Sequence, residues 1–503
     1  MLKRIISSLL LVCVLMTSGA MAISCANGDG GNTNSTTAGG NVADEVVAPT
    51  GDDTDNRVDR ASVSDDLPVK DFGGAKFNIV VREHEKEEFY VESEVGEVVN
   101  DAIYYRNKSI EERFNVVINP IPTKGSWDDQ NIFMNLIKKT VQAGDPSFDL
   151  VAGYAAYITQ LATNGMLINW NDVPYVNFDK PWWSQDSAKE MDVNGHLYFV
   201  TGDLSLTMWK YLFVLYFNKQ LVKDYGLDDL YTTVQNGEWT LEKMIEVTKA
   251  VTQDYNGDGK MDDQDLYGYV TDSHNLIDVY HAAFEVPVTV KNAAGEPEIA
   301  ITSTKYIESF TKLYNFIRQT PSTFVGTEQT GFAESVYRPM FEDGRALILP
   351  EYLGNVTILR NLEIDFGIIP FPKLDAAQTN YRGTAQDGYS LFCVPASAPD
   401  MEKLGIITEA LCAESYKQVI PAYYDIALKT KFARDNESSA MIDLIRDGLS
   451  FNFGTVNSTK LDGPGHIWRS CVTDIVPDIV SAVDKKINPI NSALNKMLEA
   501  GYR

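Results

Sequence analysis

Four aspartates and one asparagine between residues 254 and 265 have the types and spacing of a metal-binding loop. Oxygen-bearing side chains stand at positions 1, 3, 5, 9 and 12 of a twelve-residue stretch, and Gly259 stands at position 6, where such a loop turns sharply. Oxygens are the ligands that calcium prefers, and the backbone carbonyl at position 7 adds one more. The sequence therefore predicts a structural calcium site with the ligands Asp254, Asn256, Asp258, Lys260 (through its carbonyl), Asp262 and Asp265.

The loop departs from the usual EF-hand pattern at its last ligand, where Asp265 replaces a bidentate glutamate. A helix is expected before the loop, over Leu241–Val251, but residues 266–270 have the pattern of a strand. The alternative is an acidic turn without a metal, in which four neighbouring carboxylates would repel one another. Because no second loop accompanies it, we expect the ion to stabilise the fold and not to act as a switch.

Catalytic signatures are missing from the sequence. It contains no G-x-S-x-G, H-E-x-x-H, P-loop or G-x-G-x-x-G motif. The histidines show no ligand spacing; they are His84, His196, His274, His281 and His466. Seventy acidic residues leave room for a glycosidase-like carboxylate pair, but the sequence singles none out. We expect a protein that does no chemistry.

The first 24 residues have the pattern of an export signal. Lys3 and Arg4 precede an apolar run over residues 5–16, and small residues lead to Cys25. This arrangement predicts cleavage before Cys25 and its lipidation; the alternative is an ordinary secretory signal with an incidental cysteine. Residues 25–68 are rich in Gly, Asn, Ser, Thr and Asp and predict a flexible linker with a typical span of about 35 Å.

Composition limits the partners. The formal charge of the whole chain is −27, and removing the leader with its two positive charges takes it to −29. Such an acidic surface excludes nucleic acid and disfavours polyanionic ligands.

The part after the linker is long enough for two domains. Three cysteines remain there, without disulfide spacing, and are expected to be buried thiols: Cys393, Cys412 and Cys471.

Strands and helices alternate from about residue 69 onward. The first expected elements are strand 76–82, helix 101–114, strand 115–120, a helix around 133–141 and strand 148–152. Short connections in this order predict a mainly parallel sheet, whose binding loops follow the carboxyl ends of the strands. Those loops carry Glu83, Trp127 and Tyr154.

A second alternating region follows. Its expected elements are strand 211–217, helices 241–251 and 304–317, and strands 346–350 and 366–370. The last hundred or so residues have a mostly helical pattern.

Several passages, in order, resemble one family. The cysteine after the leader, the polar linker, the D-x-N-G-D-G loop before L-Y-G-Y, and the stretches 149–183, 215–219 (LYFNK), 237–240 (GEWT) and 366–373 (FGIIPFPK) resemble family 1 extracellular solute-binding lipoproteins of carbohydrate ABC transporters. The resemblance implies an α/β, two-lobed type II periplasmic-binding-protein fold, each lobe a mainly parallel sheet flanked by helices. Lobe 1 would span 69–213 and 371–415, and lobe 2 would span 214–370 and 416–503.

The resemblance also implies that a sugar or oligosaccharide binds between the lobes and is delivered to permease subunits. Aromatic rings would pack on the sugar faces and polar side chains would pair with its hydroxyls. The candidate aromatic residues are Tyr154, Trp209, Tyr352, Tyr389 and Trp468. The candidate polar residues are Glu83, Asp203, Arg382 and Asp387.

Other functions remain open at this stage. One alternative is a secreted carbohydrate-active enzyme with calcium, and another is a sensor that presents its ligand to a receptor kinase. Peptides, polyamines or other small solutes could also bind, because fold does not fix function. We expect a monomer held by its lipid at the extracellular face of the cell membrane.

Overall fold

The computed structural model describes residues 59–163, 165–326, 337–359, 362–432 and 435–502. The predicted leader, Cys25 and most of the predicted linker lie outside these residues. Twelve described strands are β1 (Ala75–Arg82), β2 (Val116–Thr123), β3 (Leu150–Tyr154), β4 (Leu167–Ile168), β5 (Phe213–Asn218), β6 (Tyr267–Thr271), β7 (Thr289–Lys291), β8 (Pro297–Ile299), β9 (Thr323–Val325), β10 (Ala346–Tyr352), β11 (Phe366–Ile369) and β12 (Ser390–Pro395).

The α-helices in the described ranges surround these strands. In chain order they are Val98–Phe114, Gln130–Gln142, Ala155–Ile158, Gln185–Met191, Leu206–Lys210, Lys219–Asp224, Leu230–Gln235, Leu241–Val251, Asn275–Ala283, Thr304–Tyr314, Tyr337–Glu342, Val356–Leu359, Met401–Glu414, Asn436–Asp447, Phe453–Val456, Ile467–Thr473 and Ile479–Gly501. None of the described helices combines the length and apolar character that a membrane span requires.

The strands form two five-stranded sheets and one small hairpin. The first sheet has the order β2-β1-β3-β12-β4, and the second has the order β11-β5-β10-β6-β9. In the first sheet only β12 runs against the other strands, and in the second only β5 does. The prediction of a mixed α/β chain with mainly parallel sheets is confirmed.

The chain passes from the first sheet to the second and back. Three segments near residues 211–213, 383–386 and 448–450 run side by side, which we call the crossing segments. Gln386 N donates to Tyr211 O (2.9 Å), and Gly383 N donates to Gly448 O (3.1 Å). Before the third crossing segment, helix Asn436–Asp447 packs on β11, whereas the π-helical segment Ser415–Val419 packs on helix Val98–Phe114 beside the first sheet.

Local sequence explains how the main elements begin and end. Helix Val98–Phe114 starts where the Glu97 carboxylate accepts the backbone N–H groups of Val99 and Asn100, and it stops at Asn115, which takes a left-handed φ of 47°. Strand β5 reads as a continuous apolar run and is buried at every position. Buried side chains from both sheets and from the helices around them form the core.

Candidate functional site

An aromatic wall lies at the carboxyl ends of strands β2 and β3 in the first sheet. It consists of Trp127, Tyr154 and Tyr157. The Tyr154 and Tyr157 rings stack with centroids 5.4 Å apart, and the Trp127 ring lies 6.4 Å from Tyr154. Trp127 keeps 46% of its surface exposed. An exposed indole beside a stacked tyrosine pair offers a flat apolar face to a ligand.

Neighbouring backbone holds this wall in place. The Tyr157 hydroxyl donates to Gly125 O (2.8 Å), just before Trp127. A Cβ at Gly125 would lie 2.7 Å from the Phe133 ring, so only glycine lets the loop approach so closely. The Arg82 guanidinium lies 5.2 Å from the centre of the Tyr154 ring, a cation–π distance. The wall is therefore pre-organised.

The crossing segments lie next to the aromatic wall and add polar side chains to the candidate site. Gln386 Nε2 donates to the Tyr154 hydroxyl (3.3 Å) and to Asp387 Oδ1 (2.5 Å). The Tyr211 hydroxyl donates to Glu85 Oε1 (2.5 Å), and the Tyr211 ring lies 5.9 Å from that of Tyr352. Side chains of both sheets thus meet at the crossing segments.

A buried carboxylate, Glu88, ties two crossing segments to the first sheet. Its Oε2 accepts the backbone N–H and the hydroxyl of Thr207, both at 2.9 Å, and its Oε1 accepts the Ser390 hydroxyl. Thr207 precedes the first crossing segment and Ser390 follows the second. Burial, then the charge of Glu85, raises the pKa of Glu88, and Arg82 opposes this rise. Glu88 therefore fixes the points where the two segments leave the first sheet.

Three carboxylates lie within electrostatic range of Arg469. We call Asp272, Asp278 and Asp387 the carboxylate cluster. Arg469 donates to Asp278 Oδ2 and to Asn275 Oδ1, both at 2.9 Å. Burial raises the pKa of Asp278 to about 8 and that of Asp272 to about 6, although the Arg469 charge lowers both. Burial also raises the pKa of Asp387.

A cavity of about 560 Å³ opens beside this cluster. Its lining includes Asp278, His281, Arg382, Thr384, Phe451 and Asn452. A space of this size suits a small saccharide or a molecule of similar bulk.

The structure brings several predicted binding residues to this region. Tyr154 is part of the aromatic wall, Asp387 belongs to the carboxylate cluster, and the Tyr389 ring packs 5.8 Å from Phe451 at the cavity. Arg382 lines the cavity, with its Nε 3.6 Å from Glu285 Oε1. Tyr352 lies beside Tyr211, and Glu83 is exposed directly after β1.

Three other predicted binding residues are packed away in this structure. Trp468 is fully buried, and the rings of His281, Tyr306 and Phe310 lie 4.1, 5.2 and 6.0 Å from its ring. Trp209 is 9% exposed, with its ring 5.5 Å from that of Tyr424, and Asp203 is 5% exposed. We therefore leave Asp203, Trp209 and Trp468 out of the site described below.

Some site residues were not among the predicted ones. Trp127 was placed on a binding loop by its position after a predicted strand, but it was not among the candidate sugar-binding residues. Asp278, Gln386 and Arg469 carry no comparable signal, because they lie inside or beside helices and loops whose meeting depends on the tertiary fold.

The loop over residues 254–265 is closed at its base by paired hydrogen bonds between Gln253 and Leu266. Asp254 accepts Gly257 N (2.7 Å) and Gly259 N (2.8 Å), and Asp265 accepts Tyr255 N (2.9 Å) and Asp262 N (2.8 Å). Among the described residues, no group of three or more His, Cys, Asp and Glu side chains is placed to hold a metal ion. The calcium site stays a prediction.

Buried carboxyl groups predict a pH dependence of stability. Burial raises the pKa of Asp203 and of Glu409 to about 7, and that of Asp278 to about 8. In the folded protein these carboxyl groups stay protonated at a pH at which they are ionised in the unfolded chain. The stability that this protonation contributes is lost as the pH rises through the raised pKa values. We expect a lower melting temperature at about pH 8.5 than at about pH 7, measured by thermal unfolding.

Histidines restrict this expectation to the upper pH range. Burial lowers the pKa of His281 and of His466 to about 3. Below about pH 6.5 these histidines are therefore protonated in the unfolded chain but not in the folded protein, which lowers the stability of the fold as the pH falls. In that range this effect opposes the effect of the carboxyl groups. Asp203→Asn should flatten the dependence between pH 7 and 8.5. A melting temperature that rises over this range in the unmutated protein would contradict the expected burial effects.

Comparison with known proteins identifies the family. A family model described as bacterial extracellular solute-binding protein matches residues 109–423, more than half of the chain. No curated protein sequence gives a significant match.

Solved structures share the fold at low sequence identity. The galacto-N-biose-/lacto-N-biose I-binding protein of an ABC transporter from Bifidobacterium longum, in complex with lacto-N-biose, aligns with a TM-score of 0.57 and 11% identity, over 85% of this chain and 99% of that one. A cyclo/maltodextrin-binding protein with maltotetraose gives 0.53 and 13%, over 85% and 98%. An ABC substrate-binding protein from Listeria monocytogenes with cycloalternan gives 0.51 and 11%, also over 85% and 98%.

These alignments confirm the expected two-lobed, periplasmic-binding-type α/β fold. The family model matches more than half of the chain in one continuous stretch. The chain therefore belongs to the family of bacterial extracellular solute-binding proteins.

Proposed function

We propose that this protein captures a sugar or oligosaccharide between its two sheets and delivers it to the permease of an ABC transporter, without chemical change. The aromatic wall carries the proposal, because an exposed indole beside a stacked tyrosine pair suits the C–H faces of a sugar ring. Solved structures with this fold include binding proteins in complex with lacto-N-biose, maltotetraose and cycloalternan.

Polar groups beside the wall complement the apolar face. Gln386, Asp387 and the Tyr154 hydroxyl form a hydrogen-bonded set at the edge of the aromatic wall. Sugars need such groups for their hydroxyls, while the rings supply most of the buried area. The protein would hold its ligand by these contacts and release it unchanged when the two sheets separate.

A thermal-shift screen tests this function. The purified protein is heated with a panel of mono- and oligosaccharides, peptides and polyamines. A ligand that binds the folded state raises the melting temperature, and the rise grows with the ratio of the free ligand concentration to its dissociation constant. A shift with a saccharide supports the proposal, whereas a shift confined to peptides or polyamines would replace the ligand class.

The lipid anchor is part of the same proposal and rests on the sequence around Cys25. We expect Cys25→Ala to release the protein from the membrane fraction of expressing cells into the medium, because the lipid would be lost. Cys13→Ala, which lies within the leader, is the matched control and should leave the protein in the membrane fraction. Equal membrane retention of both variants would contradict anchoring at Cys25.

We also propose that the loop over residues 254–265 binds calcium and stabilises the second sheet. Supporting this, the loop joins helix Leu241–Val251 to β6, and a Cβ at Gly268 of β6 would lie 2.1 Å from Thr248 O of that helix. A loose loop would therefore disturb a tight helix–strand contact.

Chelation is expected to lower the melting temperature if calcium is bound, and added calcium should restore it. The measurement is thermal unfolding with EDTA, followed by excess CaCl₂ or MgCl₂. Asp258→Asn provides the matched variant, and it should weaken the response to calcium. An unchanged melting temperature after chelation would contradict the calcium proposal.

A further inference from the structure

The aromatic wall and the cavity are separate parts of the protein surface. Trp127, Tyr154 and Tyr157 form the wall, and none of these three described side chains lines the cavity. The cavity has a volume of about 560 Å³, which is enough for a small ligand by itself. A ligand that touches both the wall and the cavity is therefore larger than one that fills the cavity alone.

The second crossing segment connects the two parts. Gly383 and Ala385 each pair with a neighbouring crossing segment, so the chain is extended there. In an extended chain alternate side chains point to the same face, at intervals of about 7 Å. Thr384 lines the cavity, and Gln386, the next residue on that face, donates to the Tyr154 hydroxyl (3.3 Å). One step along this segment thus leads from the cavity to the aromatic wall.

A second connection runs through Tyr389. Its backbone carbonyl accepts the N–H of Ala155 (3.1 Å), the residue next to Tyr154 of the wall. Its ring lies 5.8 Å from the ring of Phe451, which lines the cavity. The two connections are independent of each other, and both place the cavity next to the aromatic wall.

Three zones with different chemistry therefore follow one another. The exposed indole of Trp127 offers an apolar face to one sugar ring. The hydrogen-bonded set of Gln386, Asp387 and the Tyr154 hydroxyl offers polar partners to the hydroxyls of a second ring. The cavity encloses space for at least one more ring, between Thr384 and Phe451 among other residues.

We propose that the ligand is an oligosaccharide of at least three sugar units, which lies along these zones with one end in the cavity and the other end on Trp127. This inference rests on the proposed sugar-binding function and names the length class of the sugar. A monosaccharide or a disaccharide leaves at least one zone empty and loses the contacts that this zone provides.

Calorimetry with saccharides of increasing length tests the proposal. The probes are the linear malto-, cello-, xylo- and manno-oligosaccharides of one to six units, together with every saccharide that gives a shift in the thermal screen. In the series that binds most tightly, we expect the tetrasaccharide to bind at least about tenfold more tightly than the disaccharide.

The length proposal and the proposed function fail in different ways. If the tightest binder of all these saccharides has only one or two units, or if the disaccharide equals the longer members of its series, the length proposal is overturned and sugar binding stands. If no saccharide of any kind binds, the two fall together.

Variants at the two ends show whether one ligand occupies both. Trp127→Ala removes the apolar face at one end, and Thr384→Leu places a larger apolar side chain in the cavity at the other. Each should weaken binding of the tetrasaccharide at least about tenfold. Thr232→Leu makes the same change at an exposed position of helix Leu230–Gln235 and should leave the affinity unchanged.

A loss of affinity in only one of the two end variants would overturn the proposal, because the ligand would then occupy one end alone. The length series measured on the unmutated protein gives a result that does not depend on the folding of any variant.

Discussion

Trp127→Ala is expected to weaken saccharide binding about thirtyfold, a loss of about 2 kcal/mol. The indole is 46% exposed and lies 6.4 Å from Tyr154, so a sugar ring packed on it would be covered on one face by the aromatic wall. Alanine removes this apolar face. Because the side chain is largely exposed, the melting temperature without ligand should barely change. Calorimetry with the best saccharide of the thermal-shift screen measures the effect.

Two further variants show whether the ring itself is responsible. Trp127→Phe keeps a flat apolar face and should lose less affinity than Trp127→Ala. Tyr255→Ala removes an aromatic ring that is 66% exposed but lies in the loop over residues 254–265, and it should bind as the unmutated protein does. If Trp127→Ala binds saccharide with unchanged affinity, the aromatic wall is not the sugar site.

Glu88→Ala is expected to lower the free energy of unfolding by about 3 kcal/mol or more. Its carboxylate accepts three hydrogen bonds, from the N–H and hydroxyl of Thr207 and from the Ser390 hydroxyl. Glu88 is 3% exposed, and both partner residues are fully buried, so water cannot replace the lost acceptor without a rearrangement. Arg82, which donates to Ser390 Oγ (3.0 Å), would also lose a nearby negative charge. Denaturant unfolding followed by circular dichroism measures the loss.

The neighbouring Glu87 is the matched control, because it is exposed in the same turn. Glu87→Ala should change the free energy of unfolding by less than about 0.5 kcal/mol. Glu88→Gln keeps one acceptor oxygen and the shape of the side chain, and its loss should lie between those of the two alanine variants. A Glu88→Ala protein as stable as Glu87→Ala would show that the carboxylate does not hold the crossing segments.

Elements with strong local signals were predicted closely. The helix Leu241–Val251 begins and ends where the sequence indicates, because the Thr240 hydroxyl accepts Lys243 N at its start and the apolar spacing continues to Val251. Strand β2 runs on to Thr123, beyond the expected end at residue 120. It lies at the edge of its sheet, where Pro120 and Pro122 need not donate to a neighbouring strand.

The parts that depend on distant contacts were not predictable. Strand β12 pairs antiparallel with β3, although all strands of the second sheet lie between them in the sequence. A local pattern does not predict a pairing between strands so far apart. The Arg469–Asp278 pair joins residues 191 positions apart. Residue type also does not determine exposure: Trp127 lies half open at a strand end, whereas Trp468 is sealed between aromatic rings.

The most direct test of the central claim is a titration of the purified, full-length protein with the best saccharide of the screen, followed by chromatography of the recovered sugar. Binding that saturates at one ligand per protein, with all of the saccharide recovered intact, is the result we predict. Cleaved or modified saccharide after incubation, or the absence of saturable binding by any saccharide, would contradict the account.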